Sequence, residues 1–175
     1  MEKLNPNSLS SIYTEQLYSL SSEHKQSFEN NKNEATTPDP NKTETKVKVV
    51  GSGLNKILII NNDGTNEFIN ENDKLFLSKI VEATKNKLEE CSLVNVYKTK
   101  HSLSSILKQT QATKIITFGI NLFELDLRDK NPLKYELSDI GNDIMIIPAD
   151  TLKEISLNKE KKTAFWFALK RLFNV

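Results

Sequence analysis

Residues 56–61, Lys-Ile-Leu-Ile-Ile-Asn, form a short run rich in β-branched residues, bounded by Gly53 and by Asn62-Asp63-Gly64. Its apolar positions are consecutive, where a half-exposed strand would alternate. That pattern reads as a strand buried on both faces. A strand of this kind needs cover above and below, and the chain supplies it in order. Leu75, Leu77, Ile80, Val81 and Leu88 fall on one helical stripe, with Asn72 or Asp73 placed to cap its start. Ser92–Tyr97 reads as a second strand, Ser102–Gln109 as a short helix, and Lys114–Phe118 as a third strand ending at Gly119. Asn121–Leu125 reads as a helical turn or two, and Tyr135–Ser138 as a short extra strand before the turn at Gly141-Asn142. Asp143–Pro148 is the fourth core strand. Thr151–Phe173 is mainly helical, with Leu152 and Ile155 buried first and then Phe165, Trp166, Leu169, Leu172 and Phe173. Strands that alternate with crossover-length helices predict a three-layer α/β/α domain around a short, mainly parallel four-stranded sheet.

The first fifty residues are different in kind. Residues 1–20 carry a small apolar cluster (Leu9, Ile12, Tyr13, Leu17, Tyr18 and Leu20), too short to hold a helix alone. Residues 21–53 are mostly Asn, Lys, Glu, Ser and Thr, with Pro38 and Pro40, and are nearly free of apolar side chains before Val47. Such a stretch cannot bury enough surface to offset its ordering entropy. The expected organisation is a docking peptide at 1–20, a disordered linker at 21–53 and a folded domain at 54–175.

Composition narrows the function classes. Lys and Arg total 24 and Asp and Glu 23, for a net charge of +1. Nucleic-acid binding by bulk charge is therefore not expected, although a local basic patch is compatible with it. Hydrophobic residues make up 37% of the 175, which suits a core with a polar segment outside it. A lone cysteine, Cys91, excludes an internal disulfide and argues against a cysteine-based metal centre. The opening MEKLNPNSLS lacks a secretory apolar run. The expectation is a cytoplasmic protein without metal or cofactor.

Sites in parallel α/β folds lie at the carboxyl ends of the strands. Asn61–Gly64, Lys98–His101, Gly119–Asn121 and Pro148–Thr151 occupy those ends here. Asp63 and Asp150 are the carboxylates that a paired acid and base, or a metal, would use. Both also suit the turn and cap positions that Asp favours, which is the plainer reading. His101 follows the second strand, but no motif supplies a nucleophile for it. Gly51-Ser-Gly53 precedes its strand and so cannot be a dinucleotide phosphate loop. Lys159, Lys161, Lys162, Lys170 and Arg171 make the last helix basic, which by default means a solvated face.

Several segments taken in order resemble the uracil-DNA glycosylase superfamily, and more closely its non-catalytic relatives, the psi subunits of bacterial DNA polymerase III. KILIINNDG (56–64) is similar to the first strand and loop of both groups, FLSKIVEAT (76–84) to the helix after it, and KIITFG (114–119) to the third strand. Residues 149–172 resemble the psi-type ending through Thr151, Leu152, Glu154, Asn158, Lys162, Trp166 and Leu169. The active enzymes carry a His-Pro motif after the last strand, where this chain has Ile147-Pro148-Ala149-Asp150. A departing uracil anion needs a donor at that place.

The resemblance therefore implies a glycosylase-like scaffold without the reaction, keeping a degenerate strand-end site at Asn62, Asp63, Gly64 and Asp150. It also implies a non-enzymatic bridging subunit. Tyr13, Leu17, Tyr18 and Leu20 would dock on the clamp-loader ATPase subunit. The folded domain would hold a chi-like partner that contacts single-stranded DNA-binding protein. The arginine-rich patch that follows the aromatic in the better-known docking peptides is replaced here by SSEHKQ. The competing expectations are a divergent uracil-DNA glycosylase and a Rossmann-like nucleotide or small-ligand module.

Overall fold

The computed structural model describes residues 46–97, 101–127 and 132–175. Tyr13, Leu17, Tyr18 and Leu20, and the linker up to residue 45, lie outside the described residues. The domain is α/β, with a five-stranded, mostly parallel sheet and four helices. The strands are β1 (Ile57–Asn61), β2 (Ser92–Asn95), β3 (Lys114–Phe118), β4 (Ser138–Asp139) and β5 (Met145–Ala149). The helices are α1 (Glu71–Ala83), α2 (Leu103–Thr110), α3 (Leu152–Leu157) and α4 (Lys159–Phe173).

The spatial order is β2-β1-β3-β5-β4. The first four strands run parallel, and β4 joins the edge antiparallel through Ser138–Ile146 and Asp139–Met145. The sheet thus has one strand more than the four expected. The extra strand is also later and shorter than Tyr135–Ser138, because Tyr135 takes a left-handed φ of 63° that no strand can continue. Pro148 is tolerated inside β5 because its backbone faces the β4 edge at a position that two-residue β4 does not reach, so its missing N–H costs no ladder bond. Its carbonyl accepts from the Tyr135 N–H at 2.7 Å.

Alternate strand residues feed two cores. Ile57, Ile59, Ile116, Phe118 and Ile147 meet α1, α3 and α4 through Leu77, Val81, Ile155, Phe165 and Leu169. Leu58, Ile60, Val94, Ile115 and Ile146 meet α2 through Leu103 and Ile106, together with Leu122 and Leu125 of a 3-10 turn. This is why the strand runs are apolar throughout.

Three local details differ from expectation. Asn70, rather than Asn72 or Asp73, caps α1, its side chain accepting from the Asp73 N–H at 2.9 Å. Leu75 turns outward and Leu88 falls in a separate 3-10 turn, so the buried stripe of α1 reduces to Leu77 and Val81. Asn158 divides the last helical region. It ends α3 and its side chain accepts from the Glu160 and Lys161 N–H groups at 2.8 and 3.0 Å to start α4.

The end of the expected linker is also part of the fold. Val47 is buried against α2, where the Gln109 carboxamide pairs with its backbone N–H and C=O at 3.3 Å each. Val50 exchanges hydrogen bonds of 3.0 and 2.7 Å with Leu93 on the open edge of β2. Gly51 (φ 96°) sits so close to the Cys91 carbonyl that a Cβ would fall 1.8 Å from its oxygen. The polar composition around Val47 hid this strap, because one buried valine and a backbone bridge leave little sequence signal. Among the described residues, no helix is long and apolar enough to cross a membrane.

Candidate functional site

The strand order reverses between β1 and β3, and the crevice outside their carboxyl ends is where ligands of open α/β sheets bind. In this chain a side chain spans that crevice. Asn62 Nδ2, just after β1, donates to the Gly119 carbonyl, just after β3, at 3.4 Å. Gly64 is covered as well, since a Cβ there would lie 2.9 Å from the Tyr97 ring.

Asp63 is turned into its own loop. Its Oδ1 accepts from the Thr65 N–H (2.9 Å), the Thr65 hydroxyl (2.8 Å) and the Asn66 N–H (3.1 Å), and Oδ2 accepts from Asn66 Nδ2 (2.9 Å). Burial pushes the carboxyl up, but these donors outweigh it and hold the pKa at about 2. Asn95, at the end of β2, organises the same loop. Its Nδ2 faces the carbonyls of Asp63, Asn66 and Glu67 at 2.9–3.1 Å, and its Oδ1 accepts from the Asp63 N–H.

The open cleft lies one strand further on, at the carboxyl ends of β3 and β5. It encloses about 560 Å³ between Gly119–Phe123 and Pro148–Thr151, with Leu133 and Lys134 on the far wall. Its floor is apolar, formed by Ile120, Leu122, Pro148 and Ala149, and half-exposed Phe123 and Leu133 stand at its rim. Gly119 is required where β3 ends. Its φ is 64°, and a Cβ would fall 2.6 Å from Thr151 Cγ2.

Asp150 is buried in the cleft wall and held by three partners. Lys134 pairs with Oδ1, and Lys161 Nζ and the Tyr135 hydroxyl each reach Oδ2 at 2.7 Å. Burial raises its pKa, but the bonds from Lys134, Lys161 and Tyr135 prevail and keep it far below the usual carboxylate range. The same contacts act in return on the partners. Burial, then the Asp150 bond and charge, push the Tyr135 hydroxyl up, and the bond to Asp150 raises Lys161. At neutral pH Asp150 is therefore a carboxylate, Lys161 an ammonium group and Tyr135 a neutral phenol. A carboxylate held so low is a poor proton acceptor.

Two of the expected strand-end residues meet different surroundings. Asp63 follows β1 and Asp150 follows β5, with β3 between them, so their strands are about 10 Å apart. Only Asp150 lines the cleft. His101 is buried at the start of α2, and Lys98 to Lys100 before it lie outside the described residues. Cys91 is fully buried, and burial raises its thiol pKa. Among the described residues, no group of three His, Cys, Asp or Glu side chains could hold a metal. The partners of Asp150 were invisible in the sequence, because Tyr135 and Lys161 reach it from a loop and from the helix beyond Asn158. No protein-family model matches the chain, and no curated protein matches it.

Proposed function

We propose that this chain is a non-enzymatic accessory subunit of the bacterial replicative DNA polymerase, with a role like that of the psi subunits. The observation that carries the reading is the state of the two strand-end carboxylates. Asp63 is bound by its own loop and Asp150 by Lys134, Tyr135 and Lys161, and both are held too acidic to take a proton at neutral pH. Asn62 spans the crevice between β1 and β3, the place where a glycosylase would take its flipped base, and this supports the same reading. A scaffold whose site is tied up internally serves better to hold partners than to react.

In this reading Tyr13, Leu17, Tyr18 and Leu20 order on the clamp-loader ATPase subunit, and the folded domain holds a chi-like subunit. Residues 21–45 then raise the effective concentration of one partner near the other. Titration of purified clamp loader with the full chain tests this. Tyr18→Ala is expected to weaken binding by about 1–3 kcal/mol. Equal affinity of wild type and variant overturns the docking assignment. Release of uracil from single-stranded DNA by wild type, lost in Asp63→Ala, favours the divergent glycosylase instead.

A second reading, a nucleotide or small-ligand module, is favoured by the open cleft of about 560 Å³ beside Asp150. A rise in melting temperature with one member of a nucleotide panel would support it.

A further inference from the structure

The long basic helix α4 has a face that the packing of the domain does not use. The helix carries Lys159, Lys161, Lys162, Lys170 and Arg171 against one carboxylate, Glu160, in a chain of net charge +1. Lys161 is committed to Asp150. Among the described residues, Lys162, Lys170 and Arg171 have no carboxylate partner within salt-bridge distance. Aromatic rings stand between these cations. Phe167 is 54% exposed, and Lys170 Nζ sits 4.5 Å from its ring centroid. Lys162 Nζ lies 6.0 Å from the ring of Phe76 on α1, and Lys114 Nζ 5.0 Å from that of half-buried Phe173. Half-buried Trp166 and Phe173 pack against the core, so the solvent-facing part of this surface is Lys162, Phe167, Lys170 and Arg171. These residues span about 14 Å at the helical rise.

We propose that this face of α4 binds single-stranded nucleic acid. The cations would meet phosphates, and Phe167 would offer a face for a base. The two features together select this occupant. An acidic peptide would answer the charge and leave the rings unused. An anionic membrane needs a broad apolar face, but that face of α4 is buried under the sheet, leaving Phe167 as the one exposed ring on the helix. Exposed cations around a ring that a base can stack on are what a strand with unpaired bases requires. The inference is independent of any clamp-loader contact.

The test is fluorescence anisotropy of a labelled oligodeoxythymidine with the full chain, starting near about 50 mM salt and raising it. Wild type should bind, with log K falling against log salt at a slope of about −2 to −3, as expected for three or four phosphate contacts to a single strand. Phe167→Ala should weaken binding about 5- to 150-fold at fixed salt and leave the slope unchanged. Lys170→Gln should weaken it and flatten the slope by about 0.7. Both side chains lie on the surface, and circular dichroism of each variant checks that it folds. Should Phe167→Ala prove unfolded, Lys170→Gln decides by its slope. Absence of binding at the lowest salt overturns the proposal. Binding that both variants leave unchanged also overturns it. So does capture by phosphatidylserine vesicles in preference to the oligonucleotide, lost in Phe167→Ala.

Discussion

Asp150 shows how one buried carboxylate can fix three separate segments. Lys134 and Tyr135 come from the loop before β4, Lys161 from α4, and the carboxylate itself from the end of β5. Both lysines are partly in water, so their Coulomb terms are screened, and the Tyr135 bond is the more sheltered contribution. Asp150→Asn should cost about 1–2 kcal/mol in urea denaturation at neutral pH. The pH dependence has a definite sign. The folded pKa is depressed, so on acidification the unfolded chain binds the proton first. The stability from Asp150 is therefore complete above about pH 4 and is lost as the pH falls through the folded value. Asp63 behaves alike, with its window between about pH 4 and its folded value of about 2. The gap between wild type and Asp150→Asn should stay constant from about pH 7 to 5 and close below about pH 4. A gap that widens in acid would contradict the assignment.

Among the elements, β3 and α3 meet at a close joint. Gly119 leaves β3 in the left-handed region directly against the methyl of Thr151, and Thr151 forms a capping box with Glu154 to start α3. The strand exit and the helix entry therefore share one small volume at the floor of the cleft. Gly119→Ala should cost roughly 2–3 kcal/mol, about 1–2 of it from the backbone conformation and the rest from the contact with Thr151. Thr151→Ser removes the methyl and keeps the capping hydroxyl. The double variant should recover the contact part alone, as a coupling of about 1 kcal/mol in a thermal-denaturation cycle. Strict additivity of the two changes would show that the methyl does not set the approach.

Across the whole molecule, the edge of the sheet is closed by residues that composition assigns to the linker. Val47 buries its side chain, Val50 pairs with Leu93, and Gly51 passes under Cys91. A chain of residues 46–175 should therefore be more stable than one of residues 54–175 by about 2–4 kcal/mol, from the burial of Val47 and two backbone hydrogen bonds. The shorter chain should also self-associate, because an uncovered β2 offers unpaired backbone groups to a second copy. Equal urea midpoints and equal sedimentation of the two chains would remove the strap from the fold.

The amino-acid sequence by itself determined the class of architecture. Runs apolar at every position demand cover on both faces, and helical stripes of matching length supply it, so the four parallel strands and the order of the helices could be read directly. Local chemistry carried further, to the glycine that ends β3. Only the tertiary structure decided which strand ends adjoin, that Asp63 turns into its own loop, and that Tyr135, Lys134 and Lys161 converge on Asp150. Those outcomes depend on strand order and on the angle at which α4 leaves Asn158. They are set by packing between segments far apart in the chain, for which local propensity and periodicity carry no signal.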